Sequence, residues 1–211
     1  MTLEIRTYAL GPLANNSYLL VDSATRQAVI IDPTFDSHHI LKAVLEEQLK
    51  LEQVWLTHAH FDHIAGAKLF SETSQPALPI AIHPDDLELY HSGGGASQFG
   101  IQMPAMPEPS LFFQHGDLVR VGNETLEVRH TPGHCRGHVI FYAPQAGAAI
   151  VGDLIFQSSV GRTDLPGGSN TQLLKSIYTQ VLTLPPETRL LPGHGEPTSV
   201  QEEVDNNPYL T

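Results

Sequence analysis

Thiols, positive charge and long apolar runs are all scarce in this sequence. Its one cysteine, Cys135, excludes an intramolecular disulfide framework. Met1 to Leu10 carries Glu4 and Arg6 and has no sustained apolar core, so it reads as neither an export signal nor a membrane span. No later apolar run reaches spanning length, and with the lone thiol this points to a cytoplasmic protein. Only 11 Lys and Arg stand against 23 Asp and Glu, a formal charge of −12. Such a surface repels nucleic acid and anionic membranes on average, which leaves a small molecule as the expected partner. The oligomeric state is not legible. Linkers and low-complexity tracts are also missing, so the 211 residues read as one domain over 1–211. A chain of that length buries roughly 70% of its unfolded surface and needs no metal or disulfide to fold.

What the sequence does have is 12 histidines, and their placement matters more than their number. The stretch Thr57-His58-Ala59-His60-Phe61-Asp62-His63 follows the apolar run Val54-Trp55-Leu56 and precedes a helix-like pattern at Ile64, Ala65, Ala67, Leu69 and Phe70. His58 and His60 alternate as residues at a strand end do, so both imidazoles leave the backbone on one side. Asp62 and His63 sit where the helix starts, turned away from that pair, which suits two neighbouring cations. Asp62 by itself could be a helix cap. Clustered imidazoles, however, repel when protonated and waste polar atoms when buried, so the group reads as a metal site.

Elsewhere, strands are expected at Leu3 to Tyr8, Ser17 to Val21 (after an Asn15-Asn16 turn) and Ala28 to Ile31, with a helix from Ser37 to Leu49. The continuous run at Ala28 suits a strand buried on both faces. A strand at Leu78 to Ile82 and a short helix from Pro84 to Tyr90 follow. Residues 91–110, with Gly93-Gly94-Gly95 and Pro104, Pro107 and Pro109, read as a loop covering one face. Further strands are expected at Leu118 to Val121, Thr125 to His130, Gly137 to Tyr142, Ala148 to Val151 and Arg189 to Leu191, with a helix near Thr171 to Leu184. Two face-to-face sheets covered by helices would accommodate this order.

Three later residues share one design, an apolar strand, a glycine and a ligand-type side chain. His134 follows Thr131-Pro132-Gly133, Asp153 follows Ile150-Val151-Gly152, and His194 follows Leu191-Pro192-Gly193. Together with the first cluster they make seven ligands, enough for two divalent ions. His58, His60 and His134 are expected on the first, Asp62, His63 and His194 on the second, and Asp153 between them. Zinc is the expected ion, with iron and manganese also compatible. Asp32, ending a buried strand, would orient a ligand imidazole. Cys135 reads as a small buried thiol, and His115, His130 and His138 as structural or outer residues.

The pattern His58-x-His60-x-Asp62-His63 with His134, Asp153 and His194 resembles the metallo-β-lactamase superfamily along nearly the whole chain. That resemblance implies a four-layer αββα sandwich with a dinuclear centre in a cleft at its rim. Asp153 argues against the β-lactamases that have a cysteine ligand there. Asp153-Leu154-Ile155-Phe156, Gly161-Arg162-Thr163-Asp164, Pro192-Gly193-His194-Gly195 and Asn207-Pro208-Tyr209-Leu210 resemble stand-alone proteins of the glyoxalase II (hydroxyacylglutathione hydrolase) type that lack a C-terminal helical domain. The resemblance implies attack of a metal-bridging hydroxide, oriented by Asp62, on a thioester of the S-lactoylglutathione type. Arg162 aligns with a residue that contacts glutathione in that family, although a salt bridge to Asp164 is an equal reading. A persulfide dioxygenase with one iron held by two histidines and an aspartate is the alternative, and a lactone hydrolase a further one. A nuclease is disfavoured by the acidic balance, and an inactive binding module by the complete ligand set.

Overall fold

A computed structural model describes residues 3–210. Residues 1, 2 and 211 of the domain expected over 1–211 lie outside the described residues, so the expected absence of an export signal is partly outside them too. Two six-stranded sheets pack face to face. The first has the order β1 (Leu3–Leu10), β2 (Asn15–Asp22), β3 (Gln27–Ile31), β4 (Lys50–Trp55), β5 (Ile80–Ile82), β6 (Leu111–Phe112). The second runs β14 (Thr198–Ser199), β13 (Arg189–Pro192), β10 (Ala148–Gly152), β9 (Val139–Ala143), β8 (Glu124–His130), β7 (Leu118–Val121). A separate hairpin, β11 (Ile155–Phe156) with β12 (Ser159–Val160), follows β10.

Alternation along the strands explains the layers. In β3, Val29 and Ile31 face the space between the sheets, where they meet Trp55, Phe141 and Ile150. Ala28 and Ile30 face outward, against Ile40 and Val44 of α1 (His38–Glu46) and Phe70 of α3 (Ala67–Ser71). Both faces are therefore apolar, and the run at Ala28 is continuous for that reason. The second sheet repeats the plan, with Ile140, Ala149 and Leu190 packed against Leu173 of α5 (Asn170–Ser176) and Val200 of α6 (Val200–Asn206). Four layers result, as the fold class required. Among the described residues no helix is long and apolar enough to cross a membrane.

Local departures from the sequence reading have identifiable causes. Asn15 and Asn16 belong to β2 and not to a turn, because their amides are used elsewhere: Asn16 Nδ2 donates to the carbonyls of Pro192 (3.0 Å) and Gly195 (2.9 Å). The bend falls at 11–14. The helix expected after His63 is two short ones, α2 (Phe61–Ile64) and α3, broken at Gly66, whose N–H donates to the Pro33 carbonyl at 2.7 Å. Helix α1 stops at Glu46, before Gln48 takes a left-handed φ of 53°. The helix expected from Pro84 begins as a 3₁₀ turn and becomes α4 (Leu87–His91), and α5 widens into a π turn over Ile177–Val181.

Candidate metal centre

Strand β4 ends at Trp55, so His58 and His60 are not strand residues as expected; they lie on the loop between β4 and α2. The loop still brings them together. His58, His60 and His134 each offer a ligand atom within 4.8 Å of the others, and Asp62, His63 and His194 do the same. His134, Asp153 and His194 all arrive on loops that follow β8, β10 and β13, at the same rim as the first cluster.

The protonation pattern is set from outside the clusters. His134 donates Nδ1–H to the Arg162 carbonyl (2.8 Å), His194 to the Leu13 carbonyl (3.0 Å) and His63 to Asp32 Oδ2 (3.0 Å). The Thr57 hydroxyl donates to Asp32 Oδ2 (2.6 Å), so its oxygen is left to accept Nδ1–H of His58 (3.0 Å). Each of these four rings therefore turns its Nε2 inward. His60 faces inward through Nδ1, 2.7 Å from His134 Nε2. Asp153 stands between the groups, with Oδ1 3.3 Å from His63 Nε2 and Oδ2 3.7 Å from Nε2 of both His134 and His194.

Three of these atoms lack a hydrogen-bond partner. Six buried side-chain polar atoms among the described residues have no hydrogen bond, and His58 Nε2, His63 Nε2 and Asp153 Oδ1 are three of them. Leaving each so costs about 1–3 kcal/mol unless something binds there. Lone pairs of imidazole and carboxylate converging in one place fit divalent cations. Gly193 keeps the space clear, since a Cβ there would lie 2.2 Å from Asp153 Oδ1 and 2.6 Å from His63 Cε1.

Electrostatics agree with that fit. Burial, reinforced by neighbouring imidazoles, holds His58 far below the ordinary histidine value and lowers His60 to about 3. Both are thus neutral, the form that ligates. Burial opposes charge on His63 too, but Asp153 and Asp62 beside it raise it well above the ordinary value. For Asp62 and Asp153 burial works upward, yet His63 outweighs it and both stay well below the usual carboxylate range. Without a metal, protons on His63 neutralise the carboxylates, and a cation would displace them.

The remaining sequence candidates fall outside the two clusters. Asp32 is buried and orients His63 as expected, and it also accepts the N–H of Thr57 at 2.7 Å. Cys135 is buried and points away from the centre, donating its thiol to Asp86 Oδ2 (3.0 Å). His138 lies behind His58, its ring 5.2 Å away, with Nδ1 on the Thr131 hydroxyl. His130 stacks on His83 at 4.0 Å and donates to the Arg136 carbonyl, while His115 accepts the His130 N–H. Arg162 reaches the cleft but is tied to Asp164 by Nε (2.7 Å) and Nη2 (2.8 Å).

Two residues were not legible beforehand. Asn15 donates Nδ2–H to Asp62 Oδ2 at 2.9 Å, bracing that carboxylate. Asp86 accepts the N–H groups of Ala59 (2.9 Å) and Gly137 (2.6 Å) besides the Cys135 thiol, joining the loops that carry His58, His60 and His134. Neither had a signal beyond being polar near an element end. Part of the 91–110 segment, expected as a loop over one face, borders the cleft through Gly94, Gly95, Gln98, Phe99 and Ile101, and Ala96–Phe99 within it form a 3₁₀ turn. Gly94 accepts the Phe61 N–H at 3.0 Å and has φ 66°, and a Cβ there would sit 2.3 Å from Phe61 N. Behind it a cleft of about 530 Å³ opens onto His60, Asp62, His134, Asp153 and His194.

Residues 10–194 match the family described as the Metallo-beta-lactamase superfamily. The chain belongs to that superfamily. Among curated relatives, the probable metallo-hydrolase YqgX of Bacillus subtilis (strain 168) is 38% identical, covering 99% of this chain and 98% of its own length. The hydroxyacylglutathione hydrolase GloC of Haemophilus influenzae (strain Rd) is 30% identical, with 99% and 98% covered. Among solved structures, BLEG-1 B3 metallo-beta-lactamase superposes with a TM-score of 0.90 at 34% identity, covering 99% of this chain and all of that one. TTHA1623 in a di-iron-bound form gives 0.87 at 37%, covering 97% and 100%. ETHE1 from Myxococcus xanthus gives 0.81 at 30%, covering 97% and 83%. The superfamily's αββα sandwich is thus this chain's fold, and its His/Asp clusters are present here.

Proposed function

We propose that this metallo-β-lactamase-fold protein is a metal-dependent thioester hydrolase of the glyoxalase II type, acting on substrates such as S-lactoylglutathione. The observation that carries the reading is that Asp153 lies between two ligand clusters, with Nε2 of His58, Nε2 of His63 and its own Oδ1 buried and without a hydrogen bond. His58, His60 and His134 would hold one ion, Asp62, His63 and His194 the other, and Asp153 both. Zinc suits this donor set, and the di-iron form of TTHA1623 makes iron a second candidate. The 30% identity to a hydroxyacylglutathione hydrolase supports the substrate type. The lone buried thiol fits a cytoplasmic site of action.

When bound, such a pair of cations supplies an acidified water as nucleophile and positive charge for the acyl oxygen. The protein's own groups prepare the rest. Asp62, held ionised and braced by Asn15, would orient the attacking water. Asp32 and the Leu13 and Arg162 carbonyls keep the histidines in the ligating tautomer. A thiolate is a weak enough base, its thiol having a pKa of about 8.5, to leave without a strong general acid. Metal-stripped protein should remain folded and be inactive on S-lactoylglutathione, and zinc should restore turnover; turnover that survives thorough chelation refutes the reading.

The second reading, a single-iron persulfide dioxygenase, rests on the same geometry. It needs only two histidines and an aspartate, and Asp153 Oδ2 lies 3.7 Å from His134 Nε2 beside His58. Metal content separates the two: two equivalents with thioester hydrolysis support the first, one iron with oxygen uptake the second. A lactone and a β-lactam belong in the same assay, the latter because of the likeness to BLEG-1.

A further inference from the structure

The walls of the cleft differ from its floor. Away from the ligands it is lined mainly by apolar side chains, among them Leu13, Phe61, Phe99, Ile101, Leu165 and Pro166. Phe99 packs on Phe61 with ring centroids 5.4 Å apart, yet stays 50% exposed, and Leu13 across the mouth is 48% exposed. Large apolar side chains left open beside a reactive floor mark a surface that a ligand covers.

Charge points the same way. Outside the ligand set, Arg162 is the only charged side chain lining the cleft among the described residues. Its guanidinium is engaged by both oxygens of Asp164, so the pair is neutral as a unit. With Asp164 occupying it, the guanidinium is not free to receive a carboxylate, and the chain carries a formal charge of −12. A cleft without a free cation offers an anionic ligand no complementary charge.

We infer, building on the thioesterase reading, that the preferred substrate is a thioester with an apolar acyl chain and an uncharged thiol group, and that Asp164, by occupying Arg162, keeps that cation from anionic thiols. Hydrolysis then forms a C–O bond to water, breaks the C–S bond, passes one of the water's protons to the sulfur and the other to solvent, and releases a carboxylate and a neutral thiol, with no oxidant or reductant. The acyl chain lies along Phe61, Phe99 and Ile101. Arg162 supplies backbone support to His134 through its carbonyl, and its side chain does not hold the substrate.

Two measurements on the zinc-loaded protein test this. In the first, N-acetylcysteamine thioesters from acetyl to octanoyl are compared with S-lactoylglutathione. kcat/KM should climb by up to about fourfold per methylene, the equivalent of ~0.8 kcal/mol, until the cleft is filled. The Phe99→Ser variant should flatten that climb. In the second, calorimetry compares two inert thioethers that share one alkyl group, S-hexyl-N-acetylcysteamine and S-hexylglutathione. The neutral one should bind roughly tenfold more tightly, and Asp164→Asn should narrow the gap by improving the glutathione ligand. Preference for S-lactoylglutathione over every neutral thioester, or tighter binding of S-hexylglutathione, overturns the inference and leaves the thioesterase reading standing. Failure to hydrolyse any thioester overturns that reading, and this inference with it.

Discussion

Asp32→Asn should cost the protein its metals while leaving it folded. Asp32 is 1% exposed and sits at φ 49°, a conformation that asparagine tolerates, so the substitution adds neither volume nor backbone strain. Its carboxylate accepts three donors: the Thr57 N–H on Oδ1, and the Thr57 hydroxyl and His63 Nδ1–H on Oδ2. An amide cannot accept all three. If its oxygen keeps the Thr57 N–H, its NH₂ faces the other two, and the hydroxyl must reverse and donate to His58 Nδ1. The His58 proton then moves to Nε2, the nitrogen that should meet the metal. His63 loses its acceptor at the same time, so both clusters are affected through one atom. Removing an outer partner of a ligating histidine costs about 10–100-fold in metal affinity. Two such losses predict roughly 10²–10⁴-fold weaker zinc binding in chelator competition. Stability should fall by about 1–3 kcal/mol for each donor left unpaired, lowering Tm by ~2–4 °C per kcal/mol at this chain length. Thr57→Val separates the two arms, since it removes the acceptor of His58 and leaves the Asp32–His63 bond. An Asp32→Asn protein that melts lower but binds two zinc ions with unchanged affinity refutes the tautomer argument.

Three other outcomes are expected. Metal-free protein should be most stable near pH 6.5. His58 and His60 have lowered pKa values, so below 6.5 the unfolded chain binds protons that the fold refuses, and stability drops as pH falls. His63 and His194 have raised values, so their contribution is complete below 6.5 and is lost as pH rises through the folded pKa. Urea titrations across this range check the maximum, and saturating zinc should abolish the alkaline loss because the deprotonated rings are the ligating form. Cys135→Ser should retain metal and activity, since a hydroxyl can still donate to Asp86, whereas Asp86→Ala should strand the Ala59 and Gly137 N–H groups, cost about 2–5 kcal/mol and weaken zinc binding at the first cluster. Limited proteolysis of Gly94→Ala should show a loosened 91–110 segment together with reduced kcat/KM, because the added Cβ cannot fit against Phe61 at φ 66°.

The layers could be read from the sequence where one residue's environment was enough to determine its neighbours. Val29-Ile31 and Ala28-Ile30 face opposite layers, so an unbroken apolar run had a single good explanation. Short elements were harder, because long-range contacts decide them. The break at Gly66 depends on the Pro33 carbonyl, and the strand character of Asn15 and Asn16 depends on carbonyls around residue 192. Local propensity for asparagine favours a turn, and tertiary hydrogen bonds override it.

The candidate centre divides along the same line. Side chains that bind metal must be His, Asp or similar, so their chemistry is written in their identity, and the repeated strand-glycine-ligand design located them. Residues that support them have no such restriction. Asn15 braces Asp62, Asp86 ties two ligand loops together, and the carbonyls of Leu13 and Arg162 orient His194 and His134. A backbone carbonyl has no sequence signature at all. What a position accepts or donates depends on where the chain brings it, and here that placement also decides which nitrogen of each ring faces inward. Two chains with the same seven ligand-type residues could therefore differ in metal affinity through Thr57 or Asp32 alone, and in substrate through Phe99 or Asp164. Ligand identity restricts the chemistry to a class, while the surroundings of the cleft select the molecule within it.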